Sequence, residues 1–302
     1  MTAPGIHAIL YAFFDAEERL DRAAMRRQVE ACLEAGVAGI AALGLATEVA
    51  KLGVDERRAV MDWVAEDVAG RVPMGFTIFG PSVAEQVAMV RAAEAAGAAW
   101  LILQPPAAGS HGAGEYLEFF SRVMDATALP VAIQNAPQYL GRGLSAEDVA
   151  RLMRRHANMT LIKAEGTAVE IERLIAVTDG KLRVFNGRGG LEMIDSLRAG
   201  CDGFLLAPDA VDHAVAIHRL YRAGDEAAAA EAYARAAPSI VFVMQSIETL
   251  ICYGKRLFAA RAGLAVHDRA PALRPTEFGL DLVARHAAAL GPFGRRADGR
   301  KY

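Results

Sequence analysis

Between Ile6 and Leu206 the chain repeats one pattern about eight times: a short apolar run, then a longer stretch with helical periodicity. Runs such as Trp100-Leu101-Ile102-Leu103 and Gly203-Phe204-Leu205-Leu206 are apolar at every position, not at alternate ones. A strand of that kind is covered on both faces, which requires a parallel sheet flanked by helices. Eight such units in succession predict an α/β fold, a (β/α)8 TIM barrel. The strands are expected at 6–14, 39–44, 72–79, 100–103, 130–134, 160–164, 182–186 and 203–206. An open doubly wound sheet is the alternative, but no GxGxxG follows the first run. Past Leu206 only helical patterns follow, at 209–223, 225–254 and 276–290. The organisation expected is a barrel over 1–208, a C-terminal helical extension over 209–290, and a loose tail over 291–302.

Several function classes are disfavoured. A net charge of −3 without a basic stripe argues against nucleic acid as a partner. Cys32, Cys201 and Cys252 are odd in number and lack CxxC spacing, so they read as buried thiols in a reducing compartment. No carboxylate/histidine set has metal-ligand spacing, and no metal is expected. The N-terminus shows no basic region followed by an apolar stretch, and 239–252 is interrupted by Gln245 and Glu248. No membrane partner and a cytoplasmic location are therefore expected.

One residue is out of character. Only five of the 33 basic residues are lysines, yet Lys163 follows Leu161-Ile162 inside an apolar run closed by Gly166. An amine there is poorly solvated, which favours its neutral, nucleophilic form towards a carbonyl. The plainer reading is an inward lysine paired with Glu165. In such a barrel chemistry sits at the C-terminal strand ends, where Lys163 falls.

The ordered set Gly44-Leu45-Ala46-Thr47-Glu48, Gln134-Asn135-Ala136-Pro137, Ile162-Lys163 and Gly187 resembles the dihydrodipicolinate synthase/N-acetylneuraminate lyase family. The resemblance runs from about Ile6 to Leu290. It implies a barrel with a helical extension, a homodimer or homotetramer, and no cofactor beyond a covalent imine between the strand-six lysine and a 2-oxo acid. The departures matter as much. Gln134 stands where the synthases have a tyrosine, Tyr139 where they have a carboxylate-anchoring arginine, and Leu45 and Ala46 where they have a threonine pair. Pro106 and Ala107 replace a tyrosine pair. Classical synthase activity is therefore not expected. Gln-Asn-Ala-Pro together with Lys163-x-Glu165 is similar to the 2-keto-3-deoxy-arabonate dehydratase subgroup, although that subgroup's aromatic and histidine are Ala107 and Ala108 here.

The expectation that follows is a lysine Schiff-base lyase acting on pyruvate or a keto-deoxy sugar acid, either a dehydratase or a retro-aldolase. A non-catalytic keto-acid-binding barrel is the competing class. Lys163 is the expected nucleophile. Glu165, two residues on and so on the same strand face, is the expected acid/base, or else a structural partner for the lysine. Gln134 and Asn135 orient a water or bind a substrate hydroxyl, or make ordinary strand-end hydrogen bonds. Thr47, beside the amides around Ala46, donates to the substrate carboxylate. Glu48 binds substrate or braces its loop. Tyr139 replaces the lost phenol, Gly187 lies beside the substrate, and Arg188 is a fork for distal groups or a solvated cation.

Overall fold

The structure, a computed structural model, describes residues 3–106, 109 and 111–293. Eight parallel strands close in chain order, with the last paired to the first: β1 (Gly5–Ile9), β2 (Gly39–Ala42), β3 (Met74–Ile78), β4 (Trp100–Leu103), β5 (Val131–Asn135), β6 (Leu161–Ala164), β7 (Arg183–Asn186) and β8 (Gly203–Leu206). Closure leaves no sheet edge and excludes the open alternative. β1 is shorter than its apolar run because its continuation leaves the ladder. The Tyr11 N–H donates to Gln28 Oε1 at 2.9 Å, and Gln28 Nε2 donates to the Tyr11 carbonyl at 3.0 Å.

Helices between the strands cover the ring: α1 (Arg22–Glu34), α2 (Val54–Val68), α3 (Val83–Ala95), α4 (Ala113–Met124), the short α5 (Pro137–Leu140), α6 (Ala146–Arg155), α7 (Ala168–Val177) and α8 (Met193–Arg198). Asp21 accepts from the amides of Ala23 and Ala24 at the start of α1. Those bonds satisfy donors that a helix start leaves open.

The N-terminal end of the barrel is plugged by rings. His7 packs edge-on against Trp100 and Phe185, with centroids at 5.8 and 5.2 Å. Glycines make room for them: a Cβ at Gly39 would fall 2.2 Å from His7 Nδ1, and one at Gly75 2.3 Å from Trp100. Burial lowers the His7 pKa to about 4. With this end filled, the interior of the ring is left to open at its C-terminal mouth.

α9 (Val211–Arg222) packs on β1 and is the ring's eighth helix, so the barrel's own chain runs past position 208. The expected single helix over 225–254 is corrected. α10 (Glu226–Val243) ends, and the chain turns by 106° into α11 (Ile247–Thr249), a π-helical turn over Leu250–Gly254 and α12 (Lys255–Ala262). Ser246 caps the new start, accepting from the Thr249 N–H at 3.2 Å. The bend lets Met244, Ile247 and Leu250 roof the mouth. α13 (Glu277–Leu290) completes the extension. Among the described residues no single helix is long and apolar enough to cross a membrane.

A buried ionic cluster fastens the extension to the ring. Arg261 of α12 donates to both Asp212 oxygens at 3.0 and 2.6 Å and to the Asp209 carbonyl at 2.8 Å. Tyr11 donates its hydroxyl to Asp209 Oδ1 at 2.9 Å. Burial outweighs these bonds and pushes the Asp209 carboxyl from 3.8 up to about 6. A native pKa above the unfolded one means that the stabilising contribution is complete below the unfolded value and is lost as pH rises through the native value. Asp209→Asn keeps an acceptor for Tyr11 and carries no charge. Its stability relative to the wild type is expected to grow between about pH 4 and about pH 7, by up to about 3 kcal/mol at ~1.4 kcal/mol per pKa unit. Urea unfolding across that range checks this; a difference that stays flat refutes it.

Candidate active site

β6 carries Lys163, and the residue just past its end, Glu165, still paired through its N–H to the Asn135 carbonyl, falls on the same side by the two-residue period of a strand. Lys163 Nζ lies 3.5 Å from Glu165 Oε1, with the two side chains 3% and 7% exposed. Gln134 is level with Lys163 in the β5–β6 register. Its Nε2 donates to Glu165 Oε2 at 2.7 Å, while its Oε1 accepts from Gln104 Nε2, also at 2.7 Å. The Gln86 side chain donates to the main-chain carbonyl of Gln104 at 2.8 Å. A carboxylate and an amine so confined strengthen each other, because little water competes for either. Amides in this chain orient the carboxylate but carry no titratable proton.

Gly187 is glycine for a steric reason. A Cβ there would lie 2.6 Å from Glu165 Oε1 and 2.7 Å from its Cγ. The residue therefore makes space for the carboxylate.

Lys163, Glu165, Ala46 and Arg188 line one small cavity together with Met244, Ile247 and Leu250. A wider cleft lies between α6 and α7, and Glu165 lines both spaces. Arg188, in a left-handed conformation with φ 52°, is 14% exposed and pairs with Glu192 at 2.7 Å. Its Nε is buried without a hydrogen-bond partner. Tyr139 lies near Arg188 and feels the Glu165 charge. Burial first, then Glu165, raises its pKa above the ordinary phenol range, against the pull of Arg188.

Three expected substrate contacts have other tasks. Thr47 donates its hydroxyl to the Leu10 carbonyl at 2.5 Å, so its hydrogen is not free for a carboxylate. Asn135 faces away from Gln134 along β5. Both its polar atoms are taken by Leu144, donating to the carbonyl at 3.0 Å and accepting from the N–H at 2.8 Å. Glu48 is enclosed by lysines: Lys51 Nζ at 2.6 Å from Oε2, and Lys255 Nζ on Oε1. What the β2 loop still offers is backbone. The amides of Ala46 and Thr47 have no hydrogen-bond partner among the described residues. Ala107 and Ala108 lie outside the described residues.

Sequence reasoning missed Gln104 as a member of the chain behind Gln134. The available signal was its position, directly after an apolar strand, which Gln134 and Lys163 share. The roof from Met244, Ile247 and Leu250 left no such signal, being far away in sequence and carrying ordinary apolar side chains.

A closed eight-stranded parallel barrel with an enclosed lysine and carboxylate at its C-terminal mouth is the architecture of a barrel enzyme. A sequence model of the dihydrodipicolinate synthetase family matches residues 2–277, and the chain belongs to that family, as one of its lyases. It is 31% identical over 208 residues to the L-2-keto-3-deoxyarabonate dehydratase of Azospirillum brasilense, covering 66% of each. It is 30% identical over 236 residues to the 4-hydroxy-tetrahydrodipicolinate synthase of Methanoculleus marisnigri, covering 76% of this chain and 80% of that protein. In fold it superposes on YagE of Escherichia coli K12, a family member crystallised with pyruvate. The TM-score is 0.87 at 24% identity, over 95% of this chain and 97% of that one.

The steric role of Gly187 is testable. Gly187→Ala is expected to lower stability by about 1–3 kcal/mol through overpacking. Glu165→Ala removes the obstructing atoms, so the two losses should fall well short of adding in a double-mutant cycle read by urea unfolding. Strict additivity would show that the two residues do not meet.

Proposed function

We propose that Lys163 forms a Schiff base with a 2-oxo acid and that the reaction is the dehydration of a 2-keto-3-deoxy sugar acid. The observation that carries this reading is the 3.5 Å approach of Glu165 to an enclosed lysine amine, with Gln134 in the place of the family's tyrosine.

The amine adds to the C2 carbonyl and water leaves, giving an iminium. The iminium withdraws electrons from C3 and acidifies its protons. C3 is two bonds from the lysine nitrogen, so a carboxylate 3.5 Å from that nitrogen is well placed to take the proton. The resulting enamine expels a hydroxyl from C4, and the proton held by Glu165 accompanies it as water. Tautomerisation and hydrolysis of the imine release the product and restore the amine. The substrate carboxylate sits on the free amides of Ala46 and Thr47, an arrangement of the oxyanion-hole type. Arg188, which lines the cavity, and Tyr139 bind the distal hydroxyls.

The dehydratase reading is favoured by Gln134, since an amide orients groups without moving protons and leaves Glu165 to do so. The similarity to a keto-deoxyarabonate dehydratase points the same way. Retro-aldol cleavage shares the iminium, and assays for pyruvate against an oxo-semialdehyde product separate the two.

Two outcomes are expected. Borohydride with pyruvate or a keto-deoxy sugar acid should add one reduced adduct to Lys163, visible by intact and peptide mass, and none to Lys163→Met; an unmodified wild type would leave a binding barrel without this chemistry. Glu165→Gln should still be trapped at Lys163, yet lose turnover by roughly 10²–10⁴-fold, the range for a general acid/base. Near-wild-type turnover in that variant would remove Glu165 from the mechanism.

A further inference from the structure

The β2 loop is held from outside the barrel. Leu43 and Glu48 flank Gly44–Thr47, and both adopt left-handed conformations, with φ 65° and 54°. Side chains with a Cβ disfavour this region, so contacts elsewhere must hold the loop there. The Glu48 carboxylate supplies them. Lys51 meets one oxygen at 2.6 Å and itself donates to the Arg269 carbonyl at 2.9 Å. Lys255, the first residue of α12, meets the other, with the two side chains 0% and 1% exposed. Lys255 also lies over the Phe14 ring, 5.4 Å from its centroid.

Lys255 occupies a particular place in the extension. It directly follows the π-helical turn over Leu250–Gly254, and Leu250 lines the cavity that holds Lys163. The turn is pressed against the barrel: a Cβ on Gly254 would fall 2.5 Å from the Tyr11 hydroxyl. One ion pair thus joins the roof of the cavity to the loop that carries the unpartnered amides of Ala46 and Thr47. Burying two charges is unfavourable unless their geometry and hydrogen bonds compensate, so this pair is weak evidence for stability as such.

We propose that Lys255 is a positioning residue for substrate recognition: through its buried ion pair with Glu48 it holds the amides of Ala46 and Thr47 in the orientation that receives the carboxylate of a 2-oxo acid. The proposal rests on the reading of Lys163 as the amine that meets that acid. Without the tether the loop relaxes from its left-handed turns and the amides no longer converge. The amine, on the opposite side of the ring, is untouched. The defect is therefore specific to substrates that carry a carboxylate.

Borohydride trapping on Lys163, titrated with pyruvate and separately with acetone, tests this. Acetone has the carbonyl and lacks the carboxylate. In Lys255→Met the half-saturating pyruvate concentration is expected to rise about tenfold or more, while acetone trapping stays unchanged, the pattern of lost ground-state binding. Glu48→Gln/Lys255→Met gives the same comparison with both partners of the fully buried pair made neutral, and Lys51, 18% exposed, keeps its bond to the Arg269 carbonyl, so a folding failure of the single variant does not remove the test. Equal losses for both ketones, or no loss for either, would overturn the proposal. A wild type that pyruvate leaves unmodified overturns the underlying reading instead, and that result needs no variant.

Discussion

Two residues of spacing on β6 hold an amine and a carboxylate side by side in a place that water scarcely reaches. The rest of the site maintains that pair. The aromatic plug closes the far end of the ring, the bent extension roofs the near end, and Gly187 withholds a side chain where the carboxylate needs room. An unpaired charge in such surroundings is costly, so each group stabilises the other's presence. The same closeness makes the pair useful in the proposed reaction, because a carbonyl carbon captured by the nitrogen brings its neighbour within reach of the oxygen.

The family's barrel is kept, and under the proposed function the proton chemistry at its mouth is replaced. Where the sequence resemblance implies a phenol on β5, Gln134 presents an amide backed by Gln104 and Gln86. The substitution removes a titratable group and adds a fixed dipole. A barrel tolerates such exchanges readily, since its stability comes from the ring and its covering helices while its chemistry depends on a few strand ends.

Much of this was legible in the sequence, and the limits have physical causes. Strands buried on both faces announce themselves by unbroken apolar runs, which is why β4 and β8 are found where the sequence puts them. Lys163 and Glu165 were legible because strand periodicity alone decides that they share a side. The partners of Thr47, Asn135 and Glu48 were not. Thr47 bonds a carbonyl 37 residues away, and Glu48 an amine 207 residues away. No local pattern encodes such distances. Asn135 follows Gln134 directly, so the same alternation that sends one inward turns the other towards its own loop. The break after Val243 was hidden because Met244 and Gln245 are acceptable helix residues, and tertiary packing decided against them.

The amide chain has a direction, and that direction reaches the carboxyl group. Gln134 can only give a hydrogen to Oε2 of Glu165, because its own oxygen is already receiving one from Gln104. Oε2 is therefore the oxygen held by the amide, while Oε1 is the one beside Lys163. The glutamate is thus handed: one oxygen is an anchor, and in the proposed reaction the other is the tool.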